Sequence, residues 1–131
     1  MIRIYDSNYR GECRQEWAEQ IDCMGWLEFN HPDRWPLIWH TPNETKATAS
    51  YMQKRQKMGV KAGVGDIIDF GRIRGAFELK RLDKSKCKVS KDQRDFLQAT
   101  DDSGGFAAIV YGYEQFKLAY ADYLEFVRLS G

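Results

Sequence analysis

The chain has 131 residues, with 20 basic against 19 acidic side chains and a formal net charge of +1, a size that suits one domain spanning 1–131. Hydrophobic residues make up 43% and aromatic residues 14%, enough to build a core and to exclude a chain disordered throughout. No apolar run approaches the roughly 20 residues of a membrane span. Met1–Arg10 lacks the apolar stretch of a signal peptide, so a soluble protein with no membrane partner is expected, not exported by that route.

Cys13, Cys23 and Cys87 are odd in number and widely spaced, without a C-x-x-C pair. That pattern argues against a disulfide framework and a zinc site and suits a reducing compartment, the cytoplasm. His31 and His40 are the only histidines, too few for a His-rich metal centre.

The near-zero net charge hides a polarised chain. Between Thr45 and Arg94 stand 14 basic and 5 acidic residues, whereas the two flanks together hold 6 basic and 14 acidic ones. Basic side chains that meet phosphates release condensed counterions, so the middle of the chain is a candidate nucleic-acid footprint. A solvated face of scattered lysines is the ordinary alternative.

In chain order, Glu12 to Leu27 reads as a helix, with Trp17, Ile21, Met24 and Leu27 forming its apolar stripe and Gly25 loosening its end. Asn30 to Pro42 carries three prolines and reads as loop, with a short strand at Leu37–His40. Thr45 to Met58 is a second, basic helix closed by Gly59. Asp66–Phe70 and Ala76–Lys80, separated by Gly71–Gly75, form a β-hairpin. After a charged loop, Ser90 and Gln93 have the spacing of a capping box and open a helix to about Thr100. Phe106–Tyr111 is an apolar run suited to a strand buried on both faces. A last helix runs from about Tyr113 to Leu129, and its stripe (Tyr113, Phe116, Tyr120, Tyr123, Leu124, Val127) reads as core or as a dimer seam. The fold class is α/β, a small mixed sheet flanked by helices.

The hairpin also carries the chemistry. Glu78 and Lys80 are two apart on one strand and share a face, while Asp66 opens the neighbouring strand. Two nearby carboxylates repel when both are ionised, and a divalent cation between them removes the repulsion. Mg²⁺ suits the arrangement, since it takes one or two protein carboxylates and completes its shell with water and phosphate oxygens. Lys80 beside it is placed to orient a water or neutralise charge on a phosphate. An acid–acid–lysine set within a basic chain therefore reads as a phosphodiester hydrolysis site, against the plainer reading of a same-face ion pair on an edge strand.

The order of the motifs resembles the virus-type replication-repair nuclease (VRR-NUC) family of the PD-(D/E)XK superfamily, in its small stand-alone phage and bacterial form. The matching residues are His40-Thr41-Pro42-Asn43, the glycine-rich Gly59–Asp66 box, Glu78-Leu79-Lys80 and Gln93, in family order between about Glu12 and Tyr111. Gly65 stands where the family has proline before its aspartate. The resemblance implies a restriction-endonuclease-like core and a DNA endonuclease dependent on Mg²⁺, with Mn²⁺ able to substitute and no small-molecule cofactor. It implies Asp66, Glu78 and the Leu79 carbonyl as metal ligands, Lys80 as the catalytic lysine and Gln93 as a group holding the site or its water. It also implies a helix-1 acid, for which Glu16 aligns best while Glu12 and Glu19 stay open. A homodimer acting on branched DNA such as four-way junctions, in a bacterial or phage-infected cell, follows from the same resemblance. Lys61, Arg81, Lys84, Lys86 and Lys88 are the candidate DNA contacts. A nucleic-acid-binding module with this fold but no catalysis is the alternative.

Overall fold

The hairpin is the centre of the sheet. In the computed structural model, which describes residues 1–42, 48–61 and 63–131, strand β3 (Ile67–Asp69) pairs antiparallel with β4 (Gly75–Lys80) in the register Ile67↔Phe77. Strand β5 (Phe106–Tyr111) runs parallel to β4, and helix α3 (Lys91–Asp102) supplies the crossover that a parallel pair requires. Strand β2 (Ile38–His40) adds antiparallel to β3, and β1 (Arg3–Tyr5) adds parallel to β5. The sheet order is β1-β5-β4-β3-β2, mixed as expected. β1 has no counterpart in the sequence reading, since three half-exposed residues carry no periodic signal; its partners lie more than a hundred residues away.

Period-two alternation sorts each strand between two cores. Ile67, Phe77, Leu79, Phe106, Ala108 and Val110 face helices α1 (Glu16–Asn30) and α4 (Tyr113–Leu129). Ile68, Ala76, Ala107, Ile109 and Tyr111 face α3 through Leu97. Phe77 has ring contacts with Phe106, Phe116, Tyr120 and Tyr123, so truncating it to alanine would cost about 3–5 kcal/mol. The α4 stripe is accordingly core: Phe116, Tyr120 and Tyr123 are fully buried and give no seam to a second copy.

Helix α1 differs from expectation at both ends and on its face. It begins at Glu16, leaving Glu12 in the preceding segment, and runs through Gly25 to Asn30. Its buried residues are Glu19, Cys23 and Leu27, so the stripe is rotated: Trp17 and Ile21 are 63% and 62% exposed. An apolar i, i+4 pattern marks a helix, yet it does not say which of two such patterns meets the core. Helix α2 (Ala49–Lys57) is capped by Thr48, whose hydroxyl accepts from the Tyr51 amide, and Gly59 (φ +103°) follows it. Asn43, the first residues of the expected helix (45–47) and Ala62 lie outside the described residues. No described helix is long and apolar enough to cross a membrane, and all three cysteines are free.

Candidate active site

The β3–β4 register, extended one step past Ile67↔Phe77, sets Asp66 opposite Glu78 on the α3 side of the sheet. Both acids are buried, Asp66 at 4% and Glu78 at 1% exposure. The Leu79 amide donates to Asp66 Oδ2 at 2.9 Å, which fixes that carboxyl against β4. Because the N–H and C=O of one strand residue point to the same edge, the Leu79 carbonyl faces the Asp66 side as well. From behind, the Asp66 carbonyl accepts from the Thr41 amide and lies 2.9 Å from His40 Nδ1. A carbonyl can only accept, so His40 carries its proton on Nδ1 and serves to anchor the Asp66 backbone.

Glu78 is held on one side only. Its Oε1 accepts from Gln93 Nε2 at 2.7 Å and lies 3.5 Å from Lys80 Nζ, which is itself buried to 9% exposure. Its Oε2 is buried and meets no hydrogen-bond donor among the described residues. Burial first, then the neighbouring Asp66 carboxyl, pushes Glu78 up to about 9, against the opposing pull of Lys80. The pair is comfortable only with a proton shared between the two acids or with a cation between them.

Gln93 has a second task. Ser90 and Gln93 form the expected capping box: Gln93 Oε1 accepts from the Ser90 amide, while Ser90 Oγ accepts from the Gln93 amide. The amide group thus spans from the start of α3 to Glu78, so the helix cap and the acid's orientation are set by one side chain.

Among the three acids considered for the site at the start of α1, of which Glu12 precedes the helix, the surroundings differ. Glu19 is buried and committed, accepting from Arg14 Nη2 at 2.6 Å and from the Tyr113 amide at the start of α4, whose N-cap Gly112 has no side chain to offer. Glu12 is exposed, whereas the charge of half-buried Glu16 adds to the upward push on Glu78. Of the candidate DNA contacts, Lys61, Lys84, Lys86 and Lys88 are exposed. Arg81 is turned inward instead, donating to the carbonyls of Cys13 and Arg14 at 2.8 and 3.1 Å.

Among the described residues no group of three or more His, Cys, Asp or Glu side chains gathers as a metal cage. Two carboxylates with one orphaned oxygen, beside a carbonyl, form an incomplete hard-oxygen set, which fits a cation that keeps waters of its own.

One buried acid on the hairpin went unread in the sequence. Asp69, fully buried on the opposite side of the sheet, accepts from Arg34 Nε and Nη2 at 3.0 and 2.8 Å, from Tyr120 at 2.7 Å and from the Gly71 amide at 2.9 Å. Tyr123 joins by accepting from Arg34, and its hydroxyl donates to the Ile73 carbonyl. Only the alternation along β3, which sets Asp69 on the other face from Asp66, hinted at a separate role.

No family model and no curated protein matches the chain. Among solved structures, a protein described as "VRR_NUC domain protein" aligns with a TM-score of 0.71 at 20% identity, covering 88% of this chain and 92% of that one. The chain has the VRR_NUC fold. At that identity the likeness establishes architecture, and the expected α/β core with a mixed sheet between helices is what the strand order and layers display. Within the VRR_NUC fold of this chain, Asp66, Glu78, Lys80 and Gln93 come together on the α3 side of the sheet, and Glu16 stands within electrostatic reach.

Proposed function

We propose that the chain is a single-domain, divalent-metal-dependent DNA endonuclease of the VRR-NUC type. The observation that carries this reading is the buried acid pair: Glu78 Oε2 meets no donor group of another kind among the described residues and is pressed by the Asp66 carboxyl, while Lys80 sits 3.5 Å from the other oxygen. Asp66, Glu78 and the Leu79 carbonyl would hold Mg²⁺ or Mn²⁺. When bound, such an ion lowers the pKa of a water and offsets charge on the phosphate oxygens.

The remaining work belongs to the chain. Lys80, desolvated and tethered to Glu78, orients the attacking water by its ammonium donors and counters charge developing on the phosphate. Gln93 keeps Glu78 from rotating, so that its second oxygen stays turned to the site. Glu16, whose charge reaches Glu78, would add an acceptor for water. Lys61, Lys84, Lys86 and Lys88 supply the backbone attraction of the substrate, whose affinity should fall steeply with salt. Arg81 acts indirectly, by fixing the Cys13–Arg14 segment.

A homodimer working on branched DNA in a bacterial or phage-infected cytoplasm completes the reading. The exposed ridge of Trp17 and Ile21 on α1 is the apolar surface that supports a second copy, in place of the buried α4 stripe. The test is cleavage of plasmid and four-way-junction DNA with Mg²⁺ or Mn²⁺ against EDTA, using wild type, Lys80→Ala and Asp66→Asn. Loss of cleavage in both variants with DNA binding retained is expected; full cleavage in both would overturn the assignment.

A further inference from the structure

A cavity of about 440 Å³ opens beside Gln93, the residue that grips Glu78, and apart from Gln93 and Lys61 its lining has no part in the chemistry above. Its position follows from the sheet. The pairing Trp39↔Ile68 puts the Trp39 side chain on the same face as Asp66 and Glu78. Helix α3 packs over β5 and β4 on that face, and at the β2 edge Trp39 stays 56% exposed. Met52 and Arg55 of α2 line the cavity with it, together with Val60 and Lys61. The wall nearest the acids is Gln93, whose amide also grips Glu78. Gly63 lets this wall close up: it holds φ +81° and lies so close to the Asp92 backbone that a Cβ would collide with it.

An exposed indole and a thioether beside two cations is an unusual combination. A purely apolar ligand has no use for Arg55 and Lys61, and a free phosphate has none for Trp39 and Met52. A nucleotide needs both, a π-surface for its base and positive charge for its phosphates. Asp92, in the same wall, adds an acceptor for the exocyclic amine of a base. Within a duplex the base faces are occupied by neighbouring pairs, so only an unpaired or extruded nucleotide can present one to Trp39.

We infer that this cavity is a seat for an unpaired nucleotide of the DNA substrate, its base stacked on Trp39 and its phosphates facing Arg55 and Lys61. Gln93 is common to the cavity and the acid pair, so the seated nucleotide lies directly beside the bond to be hydrolysed. The inference rests on the nuclease reading for its meaning, and it narrows the substrate class to DNA with a locally unpaired strand.

The test is binding in EDTA, where no cleavage intervenes, read by fluorescence anisotropy of a labelled single strand and of a blunt-ended linear duplex of matching sequence. Base-on-aromatic stacking predicts that Trp39→Leu weakens single-strand binding by roughly 5- to 100-fold while changing duplex binding little. Trp39→Phe, which keeps a ring, should recover most of the affinity; a residue that merely fills space would be replaced by leucine as well as by phenylalanine. Equal losses on both substrates, or no loss on the single strand, would overturn the seat. Lys80→Ala and Asp66→Asn controls keep the two readings apart. If, with Mg²⁺ restored, Lys80→Ala and Asp66→Asn both cut as wild type while Trp39→Leu weakens single-strand binding, the assigned acid–lysine site falls and the seat stands; if both lose cleavage while Trp39→Leu binds normally, the reverse holds.

Discussion

Two buried acids stand three and twelve residues along the same hairpin from Asp66, and their surroundings could hardly differ more. Asp69 meets a guanidinium, a phenol and a backbone amide, so both oxygens are satisfied. Glu78 has donors on one oxygen and faces another acid with the second. Burial of charge is costly in both places. At Asp69 the cost is offset within the chain, which marks a structural role. At Glu78, Gln93 and Lys80 offset it at one oxygen only, and a strongly perturbed acid of this kind is a candidate for chemistry.

The contrast can be broken at several points. The largest effect is expected at the satisfied acid: Asp69→Ala strands the Arg34 charge and should lower stability by about 3–5 kcal/mol, read by denaturant unfolding. Loss of the carboxylate with no change in stability would mean that the two acids are not different in kind.

Next, Lys80→Ala and Asp66→Asn should leave the fold in place and reduce metal-dependent cleavage by about 100- to 1000-fold, measured as initial rates on plasmid. A parallel drop in thermal stability would place Lys80 with Asp69 on the structural side.

The pH response gives a third separation. Glu78 holds its proton in the folded protein up to about 9 and loses it near the ordinary carboxylate range when unfolded. The folded state therefore binds more protons at this group between those limits, so in EDTA the contribution of Glu78 to stability is full below the ordinary carboxylate range and declines as pH rises towards 9. Glu78→Gln should flatten this slope, and added Mn²⁺ should lift the melting temperature most at high pH. A melting temperature that rises with pH in EDTA would contradict the uncompensated pair.

The smallest change is Gln93→Ala. Losing half of the capping box should cost about 1 kcal/mol, and releasing Glu78 should lower cleavage about tenfold. Activity falling without the stability loss, or the reverse, would split the two tasks assigned to this side chain.

Much of this was legible in advance because it is local. Glu78 and Lys80 share a face by the alternation of a strand, and Ser90 with Gln93 announces a helix start within four residues. The five-residue Gly71–Gly75 loop placed Asp66 on the strand next to Glu78, although the cross-strand pairing of the two had to await the register. Other features were hidden for the opposite reason. β1 is a strand only because Val110 and its neighbours pair with it, and the buried side of α1 is chosen by Phe116 and Tyr120 rather than by its own pattern.

From its residues alone, then, this chain determined the order of its elements from α1 onward, the hairpin, and the spacing of Asp66, Glu78, Lys80 and Gln93, since each depends on distances the backbone imposes over a few positions. Tertiary structure decided which acids are answered and which are not: Arg34 reaches Asp69, the Tyr113 amide claims Glu19, and Trp39 comes to line one cavity with Gln93. Those pairings join residues tens of positions apart, and electrostatic satisfaction is a property of packed neighbours that no short stretch of chain contains.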